Sequence, residues 1–438
     1  MATPSRGSWT GHLGFVLAAA GSAIGLGNIW MFPYRTGTNG GAAFVLVYVI
    51  AVVAIGIPLL LSEVLIGRST KRNPVGAFRV LRGGSMWPAL GWLGVAAGFI
   101  ILSYYGVVAG WALEYTWRCA LGGLGAIDSG GVAEFFGRLT SEGPRQVVNQ
   151  AAVMAATAAI VARGVEAGIE RASKILLPLL FALLLVLLGY SLTSEGVGQG
   201  LEFLFKPRFD ELTWRGVLAA LGQAFFSLSL GMGAMITYGS YLGDEERLVW
   251  PAFLIAGMDT LLAILAGLVI FPLVFSYGLE PGAGPGLIFI TLPKAFLQMP
   301  GSGFLATMFF ALVLFAAVTS AISLLEVVVS FVVDELGVGR AVASWGAGLL
   351  IFGLGVPSAV VPGFLDRVDG LASNWMLPVG GLLIAIFAGW TLKRDEARAA
   401  FRGDSGSDAG FDAWRLCVRY LAPTAVAFIL LQNIGLID

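Results

Sequence analysis

Several uninterrupted apolar runs restrict this chain to one fold class. The runs "AFVLVYVIAVVAIGIPLLL" and "ILLPLLFALLLVLLGYSL" are each long enough to cross the hydrocarbon core of a bilayer, which is about 30 Å thick. Only 12% of the 438 residues are charged, whereas a soluble domain has about 25%. Because backbone groups in lipid must bond within the chain, such segments form helices. The sequence therefore predicts an all-α polytopic membrane protein.

The apolar pattern predicts eleven spans. Their limits are 12–37, 42–66, 88–119, 146–163, 172–192, 213–241, 248–277, 302–334, 341–357, 368–391 and 412–435. Lys and Arg are most frequent on the side of the amino terminus, which predicts a cytoplasmic N-terminus and, after an odd number of spans, a C-terminus outside. Two outside segments are substantial: a Gly-rich loop at 120–145 and a lid at 278–301 that contains a short helix.

Two spans are interrupted by glycine at matching positions. The first breaks at "GSAIGLGN" and the sixth at "SLSLGMGA". Each opens a block of five spans, 1–192 and 213–391, with 412–438 as a further span and short C-terminus. Since five is odd, the second block is inverted, and paired breaks of this kind mark the midplane site of a secondary transporter. The alternative is that the glycines only allow close helix packing.

Other function classes lack support. No basic tract indicates nucleic acid, and the two cysteines, Cys119 and Cys417, have no metal-ligand spacing. No combination of nucleophile and base indicates an enzyme. A channel needs a continuous filter, usually built by oligomeric repetition, whereas this pattern indicates an internal inverted repeat around one site.

Six motifs in order carry a family resemblance. They are "GSAIGLGNIW" with "FPY", "NGGAAFVLVY", "PLLLSEVLIGR", "GIERASKILLP", "LGQAFFSLSLGMGAMITYGSY" and "TSAIS". Together they resemble the neurotransmitter:sodium symporter family, and in particular its bacterial eleven-span amino-acid transporters. The resemblance implies Na⁺-driven import by alternating access, in a bacterial inner membrane, by a protein for which a monomer is sufficient. The expected partners are an amino acid and the lipid bilayer.

The resemblance also implies two Na⁺ sites. The first would use Ala23, Asn28, Ser227 and Asp259. The second would use the carbonyls of Gly21, Ile24 and Ala316 and the hydroxyls of Thr319 and Ser320. Carbonyl and hydroxyl oxygens suit a hard cation. The alternative for the two hydroxyls is a hydrogen bond within their own helix.

Asp259 is an acid within an apolar span, and such a residue is functional by default because it is costly. By resemblance it aligns where animal relatives carry asparagine and need chloride. We expect its fixed charge to bind Na⁺ and to make transport independent of chloride. The alternative is a protonated, structural aspartate.

The substrate site follows from the first break, where helix amino termini direct positive dipole ends at an anion. The implied substrate residues are Ser22, Ala23, Gly25, Leu26, Gly27, Ile101, Tyr105, Val108, Phe226, Ser227, Ser229, Met232, Ser320 and Leu324. Gly25 stands where monoamine-transporting relatives place an aspartate, and the side-chain walls are apolar. We therefore expect neutral hydrophobic L-amino acids, aliphatic to aromatic; the alternative is another small solute, a monoamine or an osmolyte.

The resemblance implies gates on both sides. On the inner side Arg6 pairs with Asp334, with Trp9 and Tyr238 nearby. On the outer side Met31 stands where the family has arginine. We therefore expect Arg35, four residues on and on the same helix face, to act as the partner of Asp369 or of a nearby acid. Glu63 is expected to support the broken first helix by accepting its amide hydrogen bonds.

Overall fold

The computed structural model describes residues 7–122, 131–280, 284, 286–405 and 408–436, and every regular element in that part of the chain is a helix. The first nine are α1 (His12–Ala23), α2 (Gly27–Thr38), α3 (Ala42–Thr70), α4 (Pro74–Arg82), α5 (Pro88–Ala120), α6 (Gly131–Ser141), α7 (Gly143–Ala162), α8 (Val165–Ser191) and α9 (Val197–Phe205). The others are α10 (Trp214–Ser227), α11 (Ala234–Gly239), α12 (Val249–Ser276), α13 (Leu287–Leu297), α14 (Ser302–Leu336), α15 (Arg340–Val360), α16 (Phe364–Thr391), α17 (Arg394–Ser405) and α18 (Gly410–Asn433). The prediction of an all-α membrane protein is confirmed.

Eight helices in the described ranges are long and apolar enough to cross a membrane, or nine if α1 and α2 form one bent span. The predicted fourth span, α7, has Arg145, Gln146, Asn149 and Gln150 in its first turns. The predicted sixth span is divided into α10, with 14 residues, and α11, with 6 residues. The count of eleven spans therefore stays a prediction.

The long helices differ in burial, which locates the core. Helices α5 and α14 are the most buried of the membrane-length helices and pack along each other, whereas α8 and α18 are the least buried. Helices α1 and α12 also pack together beside this pair. The interior is therefore built from α5, α14 and the broken helices, and the more exposed helices face the surroundings.

The first break has a simple backbone cause. Helix α1 ends at Ala23, Ile24 is extended (φ −70°, ψ 100°), and α2 continues at an angle of 50° to α1. The second break covers residues 228–233, between α10 and α11. There Ser229, Gly231 and Gly233 have φ of 54°, 83° and 75°, values that glycine adopts without a steric cost. Both predicted breaks occur where glycine is concentrated.

The outer segments agree with prediction at one place and differ at another. The short helix expected within 278–301 is α13; residues 281–283 and 285 lie outside the described part. The predicted loop at 120–145 is wrong for its second half, because α6 occupies Gly131–Ser141. Phe135 of α6 packs against Tyr115 at 5.2 Å, and Phe136 stacks on Phe289 of α13 at 5.3 Å, between ring centroids. This apolar face stabilises a helix within the Gly-rich segment.

Close packing of α3 on α11 yields a stability prediction. A Cβ at Gly67 would overlap the carbonyl oxygen of Ile236, which is backbone and cannot easily move. We expect Gly67→Ala to lower the free energy of unfolding by about 1–3 kcal/mol, measured as a lower melting temperature in detergent. Gly257→Ala is the matched control, because nothing lies within 4 Å of its new Cβ. Equal melting temperatures of Gly67→Ala and Gly257→Ala would contradict this close contact between α3 and α11.

Candidate functional site

The two helix breaks meet and form a central cavity. The Ser229 hydroxyl donates to the Ser22 carbonyl at 2.9 Å, and Gln223 Nε2 donates to the Gly27 carbonyl at 3.0 Å. The empty space between the surrounding residues is about 380 Å³. It is lined by Ser22, Ala23, Gly25, Leu26, Gly27, Ile101, Tyr105, Phe226, Ser229, Met232, Ser320, Ser323 and Leu324. The structure thus brings together all the predicted substrate residues except Val108 and Ser227.

Those two residues lie elsewhere. Val108 lines a separate cavity of about 1060 Å³ on the outer side, in correction of its expected place in the side-chain subsite. Ser227 points to Asp259, to which its hydroxyl donates a short hydrogen bond.

Gly25 lines the central cavity at a place that has no room for a side chain. A Cβ there would lie 2.5 Å from Ser320 Oγ and 3.1 Å from the Tyr105 hydroxyl oxygen. The Leu26 amide donates to that hydroxyl at 3.3 Å. The Leu26 amide and two hydroxyls therefore converge on a place that only a residue without a side chain leaves open. Such donors suit a carboxylate.

The residues predicted for the first Na⁺ site form one cluster around Asp259, which is fully buried. Asn28 Nδ2 donates to Asp259 Oδ1 at 2.7 Å and to Ser227 Oγ at 3.2 Å. Asn28 Oδ1 accepts from the Gly25 amide at 3.1 Å, which links the cluster to the central cavity. Ala23 lines that cavity. Among the described residues the partners of the carboxylate are neutral donors, and none of them is a cation that would balance a negative charge.

Sequence reasoning missed two members of this region. The Tyr48 hydroxyl lies 3.2 Å from Ser227 Oγ and donates to Asp259 Oδ2 at 3.3 Å. Gln223 holds the Gly27 carbonyl, and its own Oε1 is buried without a hydrogen-bond partner in the described structure. Each is an isolated polar group in an apolar run, the same signal that identified Asp259. That signal could have found both.

The residues predicted for the second Na⁺ site also lie together. Ser320 Oγ donates across to the carbonyls of Ser22 at 3.2 Å and Ile24 at 3.4 Å. A Cβ at Gly21 would be 3.4 Å from Thr319 Cβ, so α1 and α14 are in contact there. Thr319 Oγ1 instead donates within its own helix, to the Ala316 carbonyl at 3.0 Å. The two hydroxyls thus behave differently: only Thr319 back-bonds.

The predicted outer gate lines the outer cavity. Tyr105 and Phe226 line both this cavity and the central one, so they separate the two. Arg35 and Asp369 also line the outer cavity, but the ion pairs found within 4 Å among the described residues do not join them. Arg35 Nη1 donates to the Ala219 carbonyl at 3.4 Å. In this conformation the expected pair is apart.

On the inner side, Trp9 Nε1 donates to the Tyr238 carbonyl at 2.9 Å, and the two rings pack edge to face at 5.2 Å. Asp334 Oδ2 accepts from the Asn73 amide at 3.0 Å and lines an inner cavity of about 860 Å³. Arg6, its expected partner, lies outside the described residues. Sequence reasoning missed a further contact there: the buried Glu326 carboxylate accepts from Arg340 and from Tyr241.

Glu63 requires a correction. Its Oε1 accepts from the Gly231 amide at 2.8 Å, and its carboxylate lies near the amides of Met235 and Ile236. It therefore supports the second break rather than the first helix, to which we had assigned it. The reason is spatial: α3 packs against α11, so its acid reaches the amides that the α10–α11 break leaves without helical partners.

Comparison with known proteins identifies the family. The chain matches the sodium:neurotransmitter symporter family over residues 6–125 and 139–437. It belongs to this family. It is therefore a transporter and not an enzyme, as the sequence predicted.

Relatives of this symporter cover nearly its whole length. A sodium-dependent transporter of Bacillus subtilis, YhdH, is 40% identical over 444 residues, 98% of each chain. The sodium- and chloride-dependent glycine transporter 1 of Xenopus laevis is 24% identical over 98% of this chain and 78% of its own. Among solved structures, MhsT in complex with L-phenylalanine is 45% identical with a TM-score of 0.91, over 98% of this chain and 100% of that one.

The buried contact of Glu326 with Arg340 yields a second prediction. We expect Arg340→Gln to cost about 3–5 kcal/mol of stability, because it leaves a buried carboxylate without its cation. The measurement is the melting temperature in detergent. Arg138→Gln, which breaks an exposed ion pair of 3.6 Å with Glu134, is the control and should cost less than about 1 kcal/mol.

The double variant Glu326→Gln/Arg340→Gln tests the cause of that loss. It removes both charges, so it should melt closer to the unchanged protein than Arg340→Gln does. If Arg340→Gln and Arg138→Gln have the same melting temperature, the contact between Glu326 and Arg340 does not make the expected contribution to stability.

Proposed function

We propose that this symporter couples Na⁺ to the import of neutral hydrophobic L-amino acids, from aliphatic to aromatic, by alternating access. The observation that carries the proposal is the central cavity, which combines the open position at Gly25 with mainly apolar walls. The complex of MhsT with L-phenylalanine, a protein 45% identical to this chain, supports the same substrate class.

The substrate carboxylate would bind at Gly25, where the Leu26 and Gly27 amides and the Tyr105 hydroxyl converge. The ammonium group would contact carbonyls of Ala23 and Phe226. The side chain would extend toward Ile101, Met232 and Leu324. Met232 is unbranched and lies between two glycines with positive φ, so this wall adapts to side chains of different size. None of the described residues that line the cavity is an acid or a base, so a charged side chain would remain unpaired.

We assign two Na⁺ ions as co-transported cargo. The first would bind beside Asp259, where Na⁺ would supply the positive partner that the neutral donors Asn28, Ser227 and Tyr48 do not. The second would bind between the carbonyls of Gly21, Ile24 and Ala316 and the hydroxyls of Thr319 and Ser320. Residues 21–28 contribute to both ion sites and to the substrate site, which is a direct physical basis for coupling.

Alternating access would use the outer and inner cavities in turn. Tyr105 and Phe226 would form the outer barrier, and the contact of Trp9 with Tyr238 the inner one. Arg35 and Asp369 line the same outer cavity, so we propose that they approach each other when that cavity closes. Arg6 would pair with Asp334 when the inner side closes.

Substrate competition tests the proposed function. In a binding assay with purified protein and tritiated L-phenylalanine, we expect Na⁺-dependent binding that is displaced by Leu, Ile, Val, Met, Tyr and Trp. Lys, Asp, monoamines and osmolytes should not compete, because the cavity offers no partner for them. Displacement by glycine or Lys alone would contradict the apolar subsite, and displacement by a monoamine or osmolyte would support the alternative solute class.

A glycine variant tests where the carboxylate binds. Gly25→Ala should weaken L-phenylalanine binding by about 10- to 100-fold, the size of a lost hydrogen bond to a charged group. Gly106→Ala is the matched control next to Tyr105, because its Cβ would make only ordinary contacts from 3.4 Å. Similar binding by both variants would place the carboxylate elsewhere.

The Asp259 carboxylate leads to a prediction about chloride. Uptake into proteoliposomes should be equal in chloride and gluconate, because the fixed charge replaces a bound anion. Asp259→Asn should reduce uptake in gluconate by at least about tenfold, as expected when a charged hydrogen-bonded group is lost, and chloride should partly restore it. Asp244→Asn, in an exposed ion pair of 2.9 Å with Lys71, is the control. Loss of wild-type uptake in gluconate would disprove the assignment.

A further inference from the structure

Three arginines lie together where α16 ends and α18 begins. We name Arg394, Arg415 and Arg419 the basic cluster. Arg415 and Arg419 are four residues apart and therefore share one face of the helix. The Arg419 backbone is in close contact with Gly389, near the end of α16, where a Cβ would lie 2.9 Å from Arg419 Cα. Arg82 Nη2 donates to the Thr391 carbonyl at 2.7 Å, so the cluster lies at the end of the molecule that carries α4.

The basic cluster has guanidinium donors without partners. Arg415 Nη1 and Arg419 Nε are buried and have no hydrogen-bond partner in the described part of the chain. A buried donor without a partner costs free energy, and more so when it is charged. Both residues are partly exposed on the surface, so a side chain that turns outward can offer these donors to an acceptor from outside the chain.

The nearby acids are few. Asp412 Oδ1 accepts from Arg394 at 2.7 Å and also attracts Arg415. Glu396 lies 3.7 Å from Lys393 and 3.8 Å from Arg82, so other cations already engage it. Among the described side chains, one carboxylate thus faces three guanidinium groups. Counted over the described side chains alone, the cluster has a net positive charge that suits an anion.

Aromatic side chains orient the cluster. The Arg419 guanidinium carbon lies 4.1 Å from the centroid of the Trp390 ring and 5.9 Å from the centroid of the Tyr420 ring. Trp390 Nε1 donates to the Arg419 carbonyl at 3.1 Å. Trp390, Leu416 and Tyr420 are 53%, 62% and 54% exposed on the protein surface. Trp and Tyr are typical of the level of the lipid headgroups, so this surface faces the membrane interface rather than an aqueous cavity.

The geometry points to a binding site for the phosphate group of an anionic phospholipid at the basic cluster. Arginine binds phosphate through several hydrogen bonds at once, and basic sites between membrane helices suit anionic headgroups. The exposed Trp390, Leu416 and Tyr420 favour a lipid over a free phosphate ion, because they would contact the glycerol and acyl chains. The site is separate from the central cavity, and its failure would leave the transport proposal intact.

Native mass spectrometry of the full-length protein in detergent tests this site. Phosphatidylglycerol and phosphatidylcholine with the same acyl chains are added in equal amounts. We expect the protein to retain phosphatidylglycerol preferentially. The double variant Arg415→Gln/Arg419→Gln should bind it about 30-fold more weakly, since one arginine near an anionic surface contributes about fivefold. The charge-matched control Arg138→Gln/Arg208→Gln, which alters two exposed ion pairs elsewhere, should retain it like the wild type.

Three results would overturn the inference. They are equal retention of both lipids by the wild type, unchanged retention by the double variant, and full displacement of the lipid by millimolar glycerol 3-phosphate. If the double variant does not fold, the salt dependence of lipid binding by the wild type still tests the inference. Its preference for phosphatidylglycerol must fall between 50 and 500 mM NaCl, because salt screens the attraction; a preference that does not change with salt excludes the basic cluster as its source.

Discussion

Peptide groups released by a helix break in an apolar interior need partners, and this need organises the centre of the symporter. The extended Ile24 and the segment 228–233 leave amides and carbonyls outside the helical pattern. The two breaks partly satisfy each other, through Ser229 to Ser22 and Gln223 to Gly27. Glu63 provides an acceptor for Gly231. What remains is the central cavity, which combines backbone groups of the breaks with mainly apolar side chains.

Three buried acids differ in their hydrogen-bond partners. The difference distinguishes acids that stabilise the fold from the acid that we propose as a Na⁺ ligand. Glu326 contacts the arginine Arg340, so its charge is balanced. Glu63 serves the amides of a broken helix. Asp259 has neutral donors, namely Asn28, Ser227 and Tyr48. Unlike Glu326, Asp259 has only neutral donors among the described residues, and Asn28 links it to the central cavity, which agrees with the proposed Na⁺ site.

The positions of the cavities agree with the proposal of transport by alternating access. The central cavity shares Tyr105 and Phe226 with the outer cavity, so two aromatic side chains divide them. On the inner side, Trp9 and Tyr238 pack beneath it. These two pairs of aromatic side chains are the ones that we propose as the outer and inner barriers.

The sequence by itself determined the local features: the apolar runs, the two glycine-rich breaks and the open position at Gly25. These follow from composition and backbone conformation, which depend on neighbouring residues. Only the tertiary structure decided the partners: Glu63 serves the second break, Tyr48 joins Asp259, Val108 faces the outer cavity, Arg35 and Asp369 stand apart, and an amphipathic helix forms at Gly131–Ser141. Each of these depends on contacts between segments far apart in the chain, and the hydrophobic pattern of a span specifies that it is buried without specifying what it meets.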